Sequence, residues 1–326
     1  MNNLFIYTTP HPAHKALAEA LKCKDIKSSG KIPFFGRLIN AYSVNNKIGA
    51  NKYDVILTES ISRDLLAGAY YKKFHPKTKL IALLTDPKLF ELSQAPLIDK
   101  YLTYWALDKA DLLLVGSRMM KDLVPYPYRY KTRLFYPGVK NIDEHLKIKA
   151  KHGKNIAFIG LLGEYKGTDL LAETFKKIKS KIPGSKLYVV GRGADAKLFE
   201  NKEDKGIFYL EKTENSLFMG NVASFYMSRA RYEPSGCAVI EAMAQGLVPI
   251  VSDRVGYKDI VAEVDESLII ESDSRIVEKV RFLSENKKEW EKLSAKCKQV
   301  AKKYSYVYMI SNFKQTLRSF FKKTNI

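Results

Sequence analysis

The chain has 326 residues, 46% of them hydrophobic, which is enough for two domains with packed cores. Its three cysteines are too few and too dispersed for a disulfide framework or a zinc site. The formal net charge is +20, from 55 Lys+Arg and 35 Asp+Glu. Such a surface attracts nucleic acid, anionic lipid headgroups or anionic small molecules. It also describes an ordinary lysine-rich solvated surface, so the charge alone does not select a partner.

The N-terminal segment, MNNLFIYTTPHP, lacks the basic and apolar regions of a signal peptide. No apolar run approaches the ~20 residues that a membrane-spanning helix needs. We therefore expect a cytoplasmic protein, with peripheral attachment to a membrane left open.

Short apolar runs of strand length recur through the first half and alternate with segments of helical pattern. We predict strands at 4–8, 53–58, 79–84 and 111–115 and helices at 13–21, 61–74 and 97–109. Apolar strands that alternate with helices are typical of a parallel sheet covered on both faces. Sheets of this kind bind ligands at the carboxyl ends of their strands.

The alternation restarts after a polar, lysine-rich segment at 138–154, which we interpret as a linker. Further strands are predicted at 155–160, 186–190, 206–210, 222–226, 248–251 and 266–270, with a helix at 170–182 whose Leu171, Phe175, Ile178 and Ile182 share one face. We therefore expect two α/β domains, residues 1–148 and 149–304. The aromatic-rich tail, ~305–326, either completes the second domain or packs on the first.

Residues 228–249, SRARYEPSGCAVIEAMAQGLVP, contain the most informative pattern. Glu233 precedes a small-residue helix, and a glutamate there can meet sugar hydroxyls. The backbone N–H groups at Gly236 and Cys237 can hold a phosphate at the positive end of the helix. Glu241 lies about 12 Å further along the helix axis, within reach of another part of the same ligand. Sugar, diphosphate and ribose in a row describe a nucleotide sugar.

The first loop of the second domain reads GLLGEYKGTDLL. Gly163 lets the backbone approach a ligand closely, and Lys166 is a candidate contact for a diphosphate. The same segment is also consistent with a solvated lysine followed by a helix that is capped by Thr168 or Asp169. Taken alone, the loop favours this second interpretation.

Other strand ends also carry candidate groups. The turn GRG, at 191–193, resembles half of a dinucleotide fingerprint or a simple tight turn, and Arg192 could point at a phosphate. Asp86 follows a strand of the first domain and either contacts an acceptor or caps the next segment. His11 and His14 lie in the first strand-to-helix loop, where we expect surface positions.

The chain resembles the glycosyltransferase family 4 enzymes, the glycogen synthase-like retaining transferases with a GT-B fold. Their E-x7-E motif matches Glu233 through Glu241. FIGLLGEYKGTDLL is similar to the family's donor-loop segment, and KLYVVGRG to the strand and turn that follow it. In the first half, ALLTDPK, ADLLLVGSRMMKDL and RLFYPGV are similar to family segments in their usual order. The resemblance covers most of residues 54–260.

The resemblance implies two Rossmann-like, doubly wound parallel-sheet domains facing a cleft, with the C-terminal helix returning to the N-terminal acceptor domain. It implies catalytic roles for Glu233 at the donor sugar, Lys166 at the diphosphate and Asp86 at the acceptor. The donor-binding residues would be Glu241, Gly236, Cys237, Ser235, Gly163, Arg192 and Gly193. A UDP- or GDP-sugar would donate a hexose-type sugar with retention of configuration, without a metal ion or a tightly bound cofactor.

Three features depart from the family pattern. The donor loop has no arginine near Leu161 or Leu162, so Arg192 or Arg231 would replace it. The first loop reads TTPHPAHK where the family is glycine-rich, and Thr85 stands where a histidine often precedes the aspartate. These departures concern the acceptor side more than the donor side.

Two alternatives remain: another GT-B activity, such as a sugar-nucleotide epimerase or a phosphorylase, and a non-catalytic basic nucleic-acid-binding protein. The chain shows no nucleic-acid module, so a nucleic-acid partner is not expected. Lys72, Lys73, Lys77 and Lys79, together with KIPFFGRLINAY at 31–42, predict a basic and partly apolar surface on the first domain. From it we expect a lipid-linked acceptor, or one at an anionic membrane surface.

Overall fold

The computed structural model describes residues 1–28, 36–212 and 216–322. The chain divides into two compact units: Met1–Pro137 with Tyr306–Ile326, and Gly138–Ser305. Among the described residues, each unit contains one parallel β-sheet, with six strands in the first unit and five in the second. The prediction of two parallel-sheet α/β domains is confirmed.

The strands of the first unit are β1 (Asn3–Tyr7), β2 (Lys24–Lys27), β3 (Val55–Glu59), β4 (Lys79–Leu84), β5 (Leu112–Val115) and β6 (Thr132–Leu134). The helices between them are α1 (Pro12–Ala20), α2 (Gly36–Ile48), α3 (Arg63–Phe74), α4 (Lys88–Glu91), α5 (Leu97–Lys109) and α6 (Arg118–Leu123). The strand order is β2-β1-β3-β4-β5-β6. Because the order reverses between β1 and β3, the carboxyl ends of these two strands mark the position where open α/β sheets bind ligands.

The two faces of this sheet carry separate apolar layers. In β4, Leu80, Ala82 and Leu84 pack in the layer that includes residues of α2, α3 and α5, while Ile81 and Leu83 belong to the layer on the α1 face. Successive strand residues point to opposite faces, so a continuous apolar run fills both layers.

The strands of the second unit are β7 (Ile156–Ile159), β8 (Leu187–Val190), β9 (Ile207–Leu210), β10 (Phe225–Ser228) and β11 (Val248–Val251). Its helices are α7 (Ile142–Lys147), α8 (Thr168–Lys181), α9 (Met219–Val222), α10 (Cys237–Gln245), α11 (Lys258–Val264), α12 (Asp273–Glu285) and α13 (Lys287–Ala301). The strand order is β11-β10-β7-β8-β9, so it reverses between β7 and β10. The loops that follow these two strands therefore occupy the expected ligand position.

Two predicted elements differ in the structure. The strand expected at 266–270 is wrong: Glu266–Leu268 form a 3₁₀ turn, which Asp265 starts by accepting a hydrogen bond from the Ser267 backbone. The expected linker at 138–154 contains α7, whose Ile142 and His145 are buried. The second unit accordingly begins at Gly138, ahead of the boundary expected after residue 148. Because α7 has only two buried positions and is otherwise polar, its sequence shows no helical period and resembles a linker.

The last helix, α14 (Tyr306–Lys322), belongs to the first unit although it follows the second in the chain. Met309, Phe313 and Phe321 are buried in the same layer as Ala13 and Leu17 of α1. The aromatic positions of the tail therefore complete one face of the first sheet. The predicted tail residues 323–326 lie outside the described residues. Across the described parts of the chain, every helix is too short or too polar to cross a membrane.

Candidate functional site

The candidate site of the second unit is formed by two loops at the reversal of strand order. The β7 loop (residues 160–167) leads into α8, and the β10 loop (residues 229–236) leads into α10. The backbone N–H groups of Arg231 and Tyr232 both donate to the Tyr165 carbonyl, at 2.9 Å each. These two hydrogen bonds fasten the loops together.

Fastening the loops brings two predicted site residues into contact: Lys166 Nζ and Glu233 Oε2 form an ion pair. Both side chains are mostly buried, with 25% and 16% of their surface exposed. Burial lowers the pKa of Lys166 to about 8. The adjacent carboxylate acts in the opposite sense, because it favours the charged ammonium.

Backbone hydrogen bonds from the segment after β11 hold Glu233 in place. Its N–H donates to the Arg254 carbonyl at 3.0 Å, and its carbonyl accepts from Gly256 N–H at 2.7 Å. Ser235 is held in the same way, with its carbonyl accepting from Tyr257 N–H at 2.9 Å. The position of the carboxylate is therefore set by main-chain pairing on both sides of it.

The start of α10 lies directly after the β10 loop. Gly236 has φ +118°, in the left-handed region that favours glycine, and a Cβ there would lie 3.1 Å from Val255. Cys237 opens the helix, and burial raises the pKa of its thiol to about 12. A thiol that stays protonated is a poor nucleophile, so any role of Cys237 lies in its backbone at the positive end of the helix.

Glu241 lies one helical turn beyond Cys237, and residues four apart share a helix face. Its side chain is half-buried. Burial is the main cause of the raised pKa of Cys237, and the negative charge of Glu241 raises it further. The Glu241 carboxylate therefore lies near the helix start. Ala242, Met243 and Ala244 are completely buried.

The GRG turn packs against the β7 loop by main-chain contact. Leu162 N–H donates to the Arg192 carbonyl at 2.8 Å. A Cβ on Gly193, at φ +152°, would lie 1.8 Å from the Leu162 carbonyl oxygen, so only glycine fits. Gly163 differs, because no atom lies within 4 Å of the position its Cβ would take. That open space leaves room for a ligand at the loop.

The two arginines considered as replacements for a donor-loop arginine are both paired with carboxylates. Arg231 forms a two-point ion pair with Asp169, at 2.7 Å for each bond. Arg192 pairs with Glu211 at 2.8 Å, and both of those side chains are exposed. The structure alone assigns neither guanidinium to a phosphate.

The capping interpretation of the β7 loop is wrong. No side chain caps the start of α8 at Gly167. Thr168 donates to Asp195 at 2.6 Å, and Asp169 binds Arg231. These polar side chains hold the loop to neighbouring segments and do not cap the start of the helix.

In the first unit, the structure reveals a polar cluster at the carboxyl ends of β3 and β4. His14 is completely buried, which makes the expected surface position wrong. Its Nδ1 lies 2.6 Å from Glu59 Oε1, and its Nε2 lies 3.1 Å from Thr85 Oγ1. His11, by contrast, is exposed at the start of α1. Glu59 ends β3, and only the position of a carboxylate at a strand end could have marked it in the sequence.

Asp86 lies beside this cluster and does cap the following segment, since its Oδ1 accepts from Lys88 N–H at 3.2 Å. Burial raises its pKa, against a hydrogen bond from the Ser60 hydroxyl. The second carboxylate oxygen of Glu59 is buried and has no hydrogen-bond partner among the described residues. The edge of the first sheet thus offers an acceptor for a hydroxyl group. Across the same residues, no three His, Cys, Asp or Glu side chains are grouped as metal ligands would be.

Two parallel-sheet α/β units are the architecture of the GT-B class of glycosyltransferase folds. Residues 141–304 match the family model described as Glycosyl transferases group 1. The chain belongs to this family.

Two curated relatives and one solved structure indicate how far the similarity extends. An uncharacterized glycosyltransferase of Haemophilus influenzae is 26% identical over 223 residues, which are 66% of this chain and 63% of that protein. The glycogen synthase of Alkaliphilus metalliredigens is 30% identical over 119 residues, 34% of this chain and 24% of the synthase. This chain thus spans less than two thirds of either relative. The crystal structure of Anabaena Alr3699/HepE in complex with UDP and glucose superimposes with a TM-score of 0.76. At 14% identity, with 98% of this chain and 100% of that chain covered, it shows a shared fold.

Proposed function

We propose that the chain transfers a hexose-type sugar from a nucleotide-diphosphate sugar to an acceptor hydroxyl, with retention of the anomeric configuration. One observation carries the proposal: the Lys166–Glu233 pair lies directly ahead of the helix start at Gly236 and Cys237. A cation, a carboxylate and a helix N-terminus complement the diphosphate and the sugar of such a donor.

On the donor side, Lys166 and the α10 start hold the diphosphate, and Glu233 binds the sugar. Glu241 binds the ribose, while Ser235, Gly163 and Gly193 bring backbone close to the donor. Arg192 would have to leave Glu211 to contact a phosphate. The UDP and glucose bound by the Anabaena protein, and the similarity to a glycogen synthase, support a UDP- or GDP-sugar.

The chemistry follows from where charge develops. As the glycosidic bond breaks, negative charge grows on the departing diphosphate and positive charge on the sugar. Lys166 and the helix start stabilise the first, and Glu233 stabilises the second. Interactions that strengthen in this way lower the barrier, whereas a ribose contact from Glu241 is equally present before and during the reaction. In the proposed reaction these groups of the chain take the place of a metal ion or a bound cofactor.

On the acceptor side, we assign Asp86 and Glu59 to the hydroxyl that receives the sugar. The unpartnered oxygen of Glu59 accepts its hydrogen bond, and His14 orients the Glu59 carboxylate. This position at the reversal of strand order in the first sheet is where a ligand of that unit is expected.

The test is release of nucleoside diphosphate from UDP- and GDP-sugars, with and without EDTA, with the anomer of the product read by NMR. We expect release that chelation leaves unchanged and a product with the configuration of the donor. Inverted product or loss of activity on chelation would overturn the mechanism. Free sugar epimerised at C2 would assign an epimerase instead.

A further inference from the structure

The first unit contains a groove of about 1080 Å³, beside the edge that carries Asp86. The volume is slightly above the range of roughly 300–1,000 Å³ that small-molecule sites span. Its apolar lining comes from α2, α5 and the segments after β3 and β4: Leu38, Ile61, Leu92, Pro96, Ile98 and Leu102.

Large apolar side chains continue from the groove over the surface of α2 and α5. They are Leu38, Ile39 and Tyr42 on α2, and Leu97, Ile98 and Tyr101 on α5. Leu97 is 83% exposed and Tyr101 is 68% exposed. A cluster of this kind on a protein surface marks an interaction site.

Two of the lysines predicted to form a basic surface lie at the opposite end of α3 from the groove. Lys72 and Lys73 are in the last turn of α3, about 14 Å along the axis from Arg63, which lines the groove at the helix start. Lys72 pairs with Asp111. These lysines do not line the groove, and the surface predicted from them together with 31–42 stays a prediction. Residues 31–35 lie outside the described residues, and 36–42 fall on α2.

The charges that line the groove favour an anionic occupant. Arg37 and Asp99 neutralise each other across α2 and α5, at 2.8 Å. The remaining charged residues of the lining are two basic ones, Arg63 and Lys88, and one acidic one, Glu91, so the lining has a net positive charge. The whole chain carries +20. A second copy of the chain would be repelled by this charge, whereas an anionic amphiphile would be attracted.

A chain of hydroxyl groups joins the groove to the carboxyl edge of the sheet. Ser62 lines the groove, and its hydroxyl lies 3.1 Å from that of Ser60. Ser60 in turn hydrogen-bonds to Asp86. The polar end of the groove therefore meets the residues that we assign to the acceptor hydroxyl.

We propose that the groove binds the hydrocarbon chain of an anionic lipid that serves as the sugar acceptor. The chain lies against Leu38, Ile98 and Leu102, and the headgroup lies at the Arg63–Lys88 end. The acceptor role rests on the proposed transferase function, while lipid binding rests on the groove alone.

Calorimetric titration with monomeric dodecyl phosphate tests the groove, with inorganic phosphate as the headgroup control. We expect one dodecyl phosphate site and binding of inorganic phosphate at least 100-fold weaker. Leu38→Asp and Ile98→Asp should each weaken dodecyl phosphate binding about tenfold or more. Tyr126→Asp is the matched control, because Tyr126 is 84% exposed and does not line the groove. Sedimentation of the full chain with phosphatidylglycerol vesicles should follow the same order of variants.

Unchanged binding in both groove variants, or equal binding of the two phosphates, would overturn the proposal. A dimer that both groove substitutions dissociate in sedimentation velocity would assign the surface to a second copy and also overturn it. Binding of UDP and of GDP, measured on the same samples, should be unaffected by either substitution. Failure of the donor site and failure of the groove therefore give different results.

Discussion

Lys166 and Glu233, on different loops of the second unit, form an ion pair at the reversal of strand order. The pair exists because Arg231 and Tyr232 bind the Tyr165 carbonyl and draw the loops together. A diphosphate that binds Lys166 must compete with the Glu233 carboxylate. Without a ligand, the positive charge of Lys166 is thus neutralised by Glu233.

Replacing Lys166 by Ala should lower turnover about 100-fold. The ammonium stabilises charge that grows on the departing diphosphate, and removing one such group costs on the order of 3 kcal/mol. Steady-state kinetics with the donor measure this change. Lys176→Ala, an exposed lysine on α8, is the control and should keep full turnover. Equal rates for the two variants would exclude Lys166 from the chemistry.

The two glutamates should respond differently to substitution. Glu233→Gln should lower kcat and leave the affinity for UDP the same or higher, because Lys166 loses its competing carboxylate. Glu241→Gln should raise KM for the donor and leave kcat unchanged, because a ribose contact stabilises ground state and transition state alike. UDP titration and donor kinetics on both variants provide the comparison. A Glu233→Gln variant of normal turnover would contradict the assignment.

The donor site should lose activity as the pH rises above about 8. Burial lowers the pKa of Lys166 to about 8, and only the protonated ammonium binds the diphosphate. Since kcat/KM reports the free enzyme, its profile should fall on the basic side of that pH. In Lys166→Arg the guanidinium stays charged, so the fall should disappear. A wild-type profile that stays flat to pH 9.5 would refute the role of the ammonium.

The first unit should lose stability between about pH 4 and pH 7 because of Asp64. Burial raises the pKa of this carboxyl to about 7, although Ser28 and Thr8 donate hydrogen bonds to it. The folded state then holds a proton that the unfolded state releases, and each pKa unit is worth about 1.4 kcal/mol. The contribution of Asp64 to the free energy of unfolding is fully present below the pKa of the unfolded state. It is lost as the pH rises through the pKa of the folded state.

Urea unfolding at pH 5 and pH 8 tests this linkage. Asp64→Asn should narrow the difference in unfolding free energy between the two pH values. Asp122→Asn, at an exposed position, should leave the wild-type difference intact. An Asp64→Asn variant with the full wild-type pH dependence would show that Asp64 is not its source.

Two glycines of the donor site should separate structural from binding effects. Gly193→Ala places a Cβ 1.8 Å from the Leu162 carbonyl, so thermal unfolding should occur at a lower temperature. Gly163→Ala meets open space with an extended backbone, so stability should stay within about 0.5 kcal/mol. Its donor affinity should nevertheless fall, because the methyl group occupies ligand space. Unchanged donor affinity in Gly163→Ala would remove Gly163 from the site.

The sequence predicts the parts of this structure whose signal is local. The sequence shows the strands β4 and β10 as apolar runs and the buried face of α8 as the spacing of Leu171–Ile178. It also shows that Lys166 and Glu233 each follow a predicted strand. Elements such as β2, which reads KDIK, and α7 are too polar to show a period. Their place is set by neighbours that are distant in sequence.

The same limit applies to the acceptor side. His14 is buried because Glu59 and Thr85 satisfy both ring nitrogens, and neither partner is near it in the chain. The groove arises from four separate segments, and Arg37 joins two of its walls through Asp99. Contacts of this kind depend on the topology of the sheet, which periodicity does not specify.

The most direct test of the donor site is thermal unfolding of the wild-type chain and Lys166→Ala with a panel of UDP-, GDP- and ADP-sugars. A ligand that binds only the folded state stabilises it by RT ln(1 + [L]/Kd). We predict that at least one UDP- or GDP-sugar raises the wild-type unfolding temperature and that the rise is much smaller in Lys166→Ala. If no nucleotide sugar stabilises the wild-type chain, or if both proteins are stabilised equally, the second unit does not bind its donor through this site.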